Sequence, residues 1–328
     1  MLPLLFLPYY KNVIEVREPG LYCPAGDFYI DPWQPVDRAI ITHAHSDHAF
    51  PGSRNYLTAA DGGTILRARL GDEAAIQSIP YGETLRIGDV AVSLHPAGHI
   101  LGSAQIRLER AGEVWVVSGD YKLAPDPTCA PFEPLRCHTF VTESTFALPI
   151  FRWPAPADTM DAIHSWWRAN REAGRTSVLF AYPLGKAQRV LAALDPSIGP
   201  IAVHPSIERY NAIYRVEGVA LPETTAAAPS ALILAPPGAT ERYAKASTAF
   251  VSGWMRIRGP RRRRSLDRGF VMSDHADWNG LLSAIDAIGA ETVWVTHGYR
   301  APLVRWLEEH GRAAVSIDTH SEAQEDEQ

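Results

Sequence analysis

The stretch from Ala39 to His48 reads AIITHAHSDH and joins a short apolar run to four side chains that can bind a metal. The β-branched run predicts a buried strand. His43, His45, Asp47 and His48 then follow within six residues. Neutral imidazole and carboxylate groups are ligands that zinc and its first-row neighbours prefer. We therefore expect a metal centre at the end of this strand rather than a solvated polar loop.

Five further strand candidates also lead to a histidine or a carboxylate. The runs at 90–94, 114–117, 140–142, 270–272 and 293–296 are followed by His99, Asp120, Glu143, the Asp274-His275 pair and His297. Loops at one end of buried strands are where a rigid scaffold presents functional groups. Each zinc ion takes about four ligands, so the histidine loop alone cannot fill two sites. His99, Asp120 and His297 supply the missing ligands, and Asp120 has two oxygens that can bridge two ions.

The intervals between these strands carry helix signals. Asp158 is a predicted N-cap of a helix that stops at Gly174, and Asp277 is a predicted N-cap of a helix that stops at Gly289.

The length indicates more than one folding unit. The chain has 328 residues, whereas a single hydrophobic core stops growing at roughly 250–300 residues. Residues 151–260 contain strands and helices of their own, lie between proline-rich joints and carry no clustered ligand residues. We interpret them as an inserted domain, with 1–150 and 261–320 forming one unit around it. The acidic tail at 321–328 is predicted to be disordered.

The charge distribution is uneven. The formal net charge is −6, but Arg256 to Arg268 contains seven arginines and one acid, a local charge of +6 that leaves −12 for the rest. Such asymmetry predicts an anionic ligand at one place. Arg261, Arg262, Arg263 and Arg264 are candidates for contact with a nucleic-acid backbone, although such a run also suits a solvated loop. Lys186, after Gly185, is either a phosphate contact or an ordinary surface lysine.

Composition excludes several classes of protein. A hydrophobic fraction of 46% and a charged fraction of 21% exclude a collagen-like fibre, a disordered tail and a disulfide miniprotein. The three cysteines form no CxxC pair, which favours a reducing cytoplasm. The apolar N-terminus is short and broken by Pro3 and Pro8, which is not typical of a signal peptide. No apolar run approaches the roughly 20 residues that span a bilayer, so we expect a cytoplasmic protein without a membrane partner.

The motifs resemble the metallo-β-lactamase superfamily in order and context: HAHSDH at 43–48, Gly98-His99, Ser118-Gly119-Asp120 and Thr296-His297-Gly298. Within it, Thr142-Glu143-Ser144-Thr145 is similar to motif A of the β-CASP nucleases and Ser273-Asp274-His275-Ala276-Asp277 to motif B. His297 is similar to the histidine form of motif C. The chain most resembles the bacterial ligase-associated DNA exonucleases, which are related to Artemis-type and RNA 3′-end-processing nucleases. Artemis-type enzymes lack the motif C histidine, so His297 matches the RNA-processing side.

The resemblance implies a four-layer αββα sandwich with an inserted α/β β-CASP cap. It also implies two divalent metals, zinc or alternatively manganese, whose ligands are His43, His45, His99 and Asp120 for one ion and Asp47, His48, Asp120 and His297 for the other. Asp31 is expected to orient the histidine loop, and Glu143 to hold a ligand histidine without touching the metal. Asp47, Asp120 and His275 are the expected catalytic residues, with His275 contacting phosphate and acting as general acid.

The implied activity is hydrolysis of phosphodiester bonds by a hydroxide that two metals activate. The resemblance favours a DNA exonuclease that trims 5′ ends in DNA repair, working with a DNA ligase and a helicase. An RNA-processing β-CASP ribonuclease is the main alternative. A small-molecule hydrolase of the metallo-β-lactamase type needs neither a cap nor a basic segment, and a binding module with a degenerate site does not fit a complete ligand set.

Overall fold

The computed structural model describes residues 12–228, 230–243, 245–257 and 267–319, which form three β-sheets with helices packed on them. This confirms the mixed α/β class predicted from the sequence. In these ranges no helix has both the length and the apolar character that crossing a membrane requires.

The first sheet contains the strand that leads into the histidine loop. Its strands lie side by side in chain order: β1 (Glu15–Arg17), β2 (Gly20–Cys23), β3 (Phe28–Ile30), β4 (Arg38–Ile40), β5 (Asn55–Ala59) and β6 (Ile76–Ile79). β1 to β3 pair antiparallel and β3 to β6 pair parallel. Ile40 packs in one core and its neighbours Ala39 and Ile41 pack in another, the alternation of a strand buried on both faces.

The second sheet carries most of the other strand candidates. Its strands are β7 (Thr84–Ile87), β8 (Val90–Pro96), β9 (Ala104–Arg110), β10 (Glu113–Val117), β11 (Thr139–Thr142), β17 (Thr292–Val295) and β18 (Ala313–Ser316). They lie in the order β18-β17-β11-β10-β9-β8-β7. β10, β11, β17 and β18 are parallel, and β7 to β10 pair antiparallel.

The third sheet is wholly parallel and lies mostly in the predicted insert. Its strands are β12 (Ser177–Phe180), β13 (Ile201–Val203), β14 (Leu232–Ala235), β15 (Ser247–Val251) and β16 (Arg268–Phe270), in the order β13-β14-β12-β15-β16. β16 lies beyond the predicted insert boundary at residue 260, yet it pairs with β15. The third sheet therefore extends to Phe270, ten residues past that boundary, because sheet pairing and not chain composition decides which unit a strand joins.

Three apolar cores set the order of the layers around the first two sheets. One core lies between them. The other face of the first sheet packs on Ile65 of α1 (Gly63–Leu70) and Tyr214 of α4 (Pro205–Val216). The other face of the second sheet packs on Leu281 of α5 (Trp278–Ile288) and Leu303 of α6 (Arg300–Glu309). The order is helix, sheet, sheet, helix, an α/β sandwich.

Two predicted helix starts have different outcomes. Asp277 caps α5, since its Oδ1 accepts a hydrogen bond from Gly280 N at 2.8 Å, and the helix ends at the left-handed Gly289 as predicted. The prediction that Asp158 is an N-cap is wrong. The helix α2 (Pro156–Glu172) begins two residues earlier, because Pro156 suits the first helical position, and Asp158 lies in its first turn. The short helix α3 (Lys186–Ala192) follows β12.

Candidate metal centre

The candidate ligands follow strands whose ends meet at one edge of the stacked sheets. Asp120 follows β10 and His297 follows β17, and these strands flank β11. Because the three strands are parallel, their carboxyl ends lie at the same edge. The histidine loop reaches this edge from β4 of the facing sheet. The two sheets thus bring together side chains that are up to 254 residues apart, from His43 to His297.

The first cluster consists of His43, His45, His99 and Asp120, whose potential ligand atoms all lie within 4.8 Å of one another. His45 Nδ1 lies 3.1 Å from His43 Nε2 and 3.1 Å from His99 Nε2. Asp120 Oδ2 lies 3.4 Å from His43 Nε2 and 3.8 Å from His99 Nε2. Three imidazole nitrogens and one carboxylate oxygen therefore surround one point.

The second cluster consists of His48, Asp120 and His297, which lie within the same 4.8 Å limit. His48 Nε2 is 3.5 Å from Asp120 Oδ2 and 3.5 Å from Asp47 Oδ2. The structure thus brings all seven predicted ligands to one place, and a single oxygen of Asp120 faces both clusters.

The histidines of the first cluster are oriented through their other ring nitrogens. His99 Nδ1 donates to the carbonyl oxygen of Asp274 at 2.9 Å. His45 Nε2 donates to the carbonyl oxygen of Leu184 at 3.3 Å. His43 Nδ1 lies 3.1 Å from Thr42 Oγ1. These contacts direct the remaining nitrogen of each ring toward the shared point, as such outer contacts do in metal sites.

The second cluster is oriented by side chains of the sandwich. Asp31 Oδ2 accepts from His48 Nδ1 at 2.7 Å, and Asp31 Oδ1 accepts from Thr42 N at 2.8 Å. Asp31 therefore contacts the histidine loop at two points. Thr319 Oγ1 lies 3.3 Å from His297 Nδ1.

His297 has an unusual backbone conformation. Its φ is +52°, in the left-handed region that a residue with a side chain rarely adopts. Ser144 Oγ donates to the carbonyl oxygens of Thr296 and His297, which fixes this turn. Gly298 follows with φ +64°, and a Cβ there would lie 2.5 Å from the Ser144 carbonyl oxygen. The Thr296-His297-Gly298 motif is thus a tight turn that places the imidazole at the sheet edge.

Electrostatics favours the neutral form of three of the clustered imidazoles, those of His43, His99 and His297. Burial and the neighbouring histidines lower the pKa of His43 well below its usual range and that of His99 to about 3. Burial and His48 lower the pKa of His297 to about 4. Burial raises the pKa of Asp120, but His48 and His275 outweigh it, and the net pKa lies well below the usual range. In the first cluster, the neutral imidazoles of His43 and His99 and the ionised carboxylate of Asp120 therefore present lone pairs to one point.

The donor set fits a divalent cation. Among the described residues, His48 Nε2 is buried without a hydrogen-bond partner, and it lies 3.5 Å from both Asp120 Oδ2 and Asp47 Oδ2. Burial lowers the pKa of His48, but the carboxylates of Asp47, Asp120 and Asp31 raise it well above its usual value overall. The raised pKa means that the surrounding carboxylates stabilise a positive charge at this position. Either a proton or a metal ion can supply that charge. The imidazole and carboxylate donors suit zinc.

Glu143 and His275 form a pair next to the clusters. Glu143 Oε2 accepts from His275 Nδ1 at 2.9 Å, and Glu143 Oε1 accepts from Tyr121 N at 2.8 Å. His275 Nδ1 is 4.0 Å from Asp120 Oδ2. Burial lowers the pKa of His275, but Glu143 and Asp120 outweigh it and raise it to about 10. Glu143 was expected to hold a ligand histidine. It instead holds His275, because Glu143 follows β11 at the centre of the edge.

Lys186 is not a surface lysine. The residue is 5% exposed, and its Nζ lies 3.0 Å from Asp274 Oδ1 and 4.7 Å from the centre of the Tyr182 ring. Its ammonium is committed to a buried carboxylate, which argues against the predicted contact with a nucleic-acid backbone. Arg261, Arg262, Arg263 and Arg264, and the tail at 321–328, lie outside the described residues.

Sequence reasoning missed a group of buried charged residues behind the first cluster. Lys122, Asp126 and Arg189 lie there with Lys186 and Asp274, and all except Asp126 are less than 9% exposed. The side chain of Asp126 is 2% exposed. Lys122 follows Asp120 by two residues and Asp274 lies within motif B. Their positions close to the motifs in the sequence could have drawn attention to them. The sequence does not show, however, that Lys186 pairs with Asp274 or that Arg189 pairs with Asp126.

No family model matches the chain. The chain is 31% identical over 309 residues to a probable DNA ligase of Opitutus terrae, a match that covers 91% of this chain and 30% of that protein. It is 26% identical over 221 residues to the transcription termination factor FttA of Methanosarcina mazei, covering 56% of this chain and 34% of the relative. It is 28% identical over 142 residues to the endoribonuclease ysh-1 of Neurospora crassa, a match that covers 42% of this chain and 16% of that protein.

A solved structure has a similar fold. A protein of unknown function from Enterococcus faecalis superimposes with a TM-score of 0.61 at 14% identity, covering 87% of this chain and 80% of that one. The chain spans about a third or less of the length of the curated relatives described above. The match to the probable DNA ligase therefore covers nearly all of this chain. The match to the endoribonuclease covers less than half of it.

Proposed function

We propose that this chain is a metal-dependent nuclease of the β-CASP group of the metallo-β-lactamase superfamily. The observation that carries the proposal is the shared Asp120 oxygen. It lies 3.4 Å from His43 Nε2, 3.5 Å from His48 Nε2 and 4.0 Å from His275 Nδ1. Two histidine clusters that share one carboxylate, with a further histidine beside them, suit the hydrolysis of a phosphodiester. In this proposal the sandwich is the catalytic unit, and the third sheet with its helices is the β-CASP insert.

The chain's own residues divide the work between them. His43, His45, His99 and Asp120 hold one divalent ion, and Asp47, His48, Asp120 and His297 hold the other, with zinc as the favoured metal. When bound, such ions activate water and neutralise charge on phosphate oxygens. Asp31 fixes the ring of His48 through the contact at 2.7 Å.

His275 serves as the proton donor to the departing sugar oxygen. Its Nδ1 is engaged by Glu143 at 2.9 Å, which leaves Nε2 as the nitrogen for transfer. A buried carboxylate that holds an imidazole in one orientation is a familiar arrangement for general acid–base catalysis. Glu143 is 1% exposed, so its charge acts on His275 with little screening by water.

The substrate in this proposal is DNA, which the enzyme trims from 5′ ends. The match to the probable DNA ligase covers 91% of this chain, whereas the match to the endoribonuclease covers 42%. Because the chain corresponds to only 30% of that ligase, end trimming and ligation would be separate parts of one process, with a DNA ligase as partner.

The second candidate is an RNA-processing ribonuclease. The matched endoribonuclease supports it. His297 supports it as well, because it lies in the second cluster, at the position of motif C where RNA-processing relatives also carry a histidine.

A time course on matched DNA and RNA strands, labelled separately at each end, tests the proposal. Reactions contain zinc or manganese, and Asp120→Asn controls for contaminating nucleases, because it removes one negative charge from both clusters. We expect early mononucleotide release from 5′-labelled DNA, with RNA spared. Internal cuts in RNA would favour the ribonuclease. Equal cleavage by Asp120→Asn would refute the metal centre in either form.

A further inference from the structure

Two histidines of the first cluster are oriented by a different part of the chain from those of the second cluster. His45 and His99 donate to the carbonyl oxygens of Leu184 and Asp274, at 3.3 Å and 2.9 Å. Leu184 lies between β12 and α3, and Asp274 follows β16, so both carbonyls belong to loops of the third sheet. The rings of the second cluster contact Asp31 and Thr319 instead, which lie in the sandwich. The third sheet therefore contacts one cluster's histidines through its backbone.

The carbonyl that orients His99 lies in a loop held by three buried basic side chains. Lys186 Nζ is 3.0 Å from Asp274 Oδ1. Arg189 Nη1 donates to the carbonyl oxygen of Ser273 at 2.8 Å, and Lys122 Nζ donates to the same oxygen. The loop is therefore fixed at two consecutive residues, directly before His275.

Arg189 joins this loop to the first cluster itself. Its Nη2 donates to the carbonyl oxygen of His99 at 3.4 Å, and its Nε pairs with Asp126. One guanidinium thus contacts the third-sheet loop, the His99 backbone and a carboxylate of the sandwich. A lysine presents only a single compact charge and cannot reproduce this fork.

Burial makes this arrangement specific. Lys186 is 5% exposed and Arg189 is 8% exposed. Removing one partner of a buried charged pair leaves the other uncompensated, so the partners strongly favour the one arrangement that satisfies them all. Lys186 and Arg189 are separated by three residues and lie on one face of α3. This helix face therefore sets where the Asp274 carbonyl meets His99.

We propose that Lys186 and Arg189 are positioning residues that tune metal binding at the first cluster and leave the second cluster unaffected. The inference rests on the proposed metal centre. It assigns the inserted unit a part in building the site, beyond covering it.

Zinc affinity in two single-site backgrounds tests the proposal. In the full chain, His297→Ala leaves the first cluster, and His43→Ala leaves the second. Arg189→Met and Lys186→Met are added to each, and zinc binding is measured by competition with a chromophoric chelator. Contacts that orient metal ligands are typically worth about 10–100-fold in affinity. We expect a loss of that size in the His297→Ala background and less than about twofold in the His43→Ala background.

Two controls distinguish positioning from general damage. Arg168→Met removes a 52% exposed arginine of the same unit and is expected to change neither affinity. Arg189→Lys keeps the charge and is expected to restore part of the affinity, with thermal unfolding of the metal-free variants showing that they fold. Equal loss in both backgrounds, or no loss in either, would overturn the inference. Absence of zinc binding in both parent backgrounds would refute the proposed metal centre and the inference with it.

Discussion

Replacing Glu143 by glutamine tests the proton-transfer role of His275. The side chain of Glu143 is buried, and its Oε2 accepts from His275 Nδ1 at 2.9 Å. Glutamine keeps the shape and an oxygen for Tyr121 N, whose contact is 2.8 Å, but loses the charge. The amide then presents either its NH₂ group or a neutral oxygen to His275. A hydrogen bond to a charged group is worth about 1.5–3 kcal/mol, so we expect kcat to fall roughly 10- to 150-fold.

The assay compares two leaving groups. Cleavage of a labelled oligonucleotide expels a poor alkoxide that needs a proton, whereas cleavage of a p-nitrophenyl phosphodiester expels a stable phenolate. General acid catalysis typically contributes about 10²–10⁴-fold, and only the first substrate should require it. We expect Glu143→Gln to lower kcat on the oligonucleotide, with KM nearly unchanged, and to spare the p-nitrophenyl ester. An equal loss on both substrates would refute the role of the Glu143–His275 pair in proton transfer.

Three further predictions concern the turn, the metals and the arginine run. Gly298→Ala places a methyl group 2.5 Å from the Ser144 carbonyl oxygen at φ +64°, so thermal unfolding should show a loss of about 1–3 kcal/mol; an unchanged melting temperature would mean that the turn relaxes freely. Removal of metal by a chelator should abolish cleavage and lower the melting temperature, because an ion at 100 times its Kd stabilises the native state by about 2.7 kcal/mol; dialysis against zinc should restore both. Replacing Arg261–Arg264 by serine should reduce the slope of log K for DNA binding against log salt concentration by roughly 0.7–0.9 for each lost phosphate contact. An unchanged slope would show that these arginines do not contact DNA.

The sequence predicted the candidate ligands because their positions follow from strand geometry. Asp120 and His297 come directly after buried runs, and the ends of parallel strands meet at one edge whatever the intervening chain does. The Asp277 cap could also be predicted, because its hydrogen bond joins residues only three positions apart in the sequence. Local chemistry could not identify β16 as part of the third sheet, because its pairing with β15 is a contact between separate segments.

The buried charges show the same limit more sharply. Lys186 beside Gly185 looks the same in sequence whether its ammonium faces solvent or Asp274, which is 88 residues away. A charged residue becomes a core residue only when a partner cancels its desolvation, and that partner is set by tertiary structure. Thr319, the contact of His297, was missed for the same reason.

The origin of these contacts also bears on the small-molecule alternative. A hydrolase built on the sandwich alone would need its histidines oriented from within the sandwich, as Asp31 orients His48. In this chain His99 and His45 instead donate to carbonyl oxygens of the third-sheet loops. His275, the proposed proton donor, also enters from the loop after β16. A sandwich without the third sheet and the loop after β16 would lose His275 and two orienting contacts together, which supports the proposal of a substrate that engages both units, as a nucleic-acid strand would.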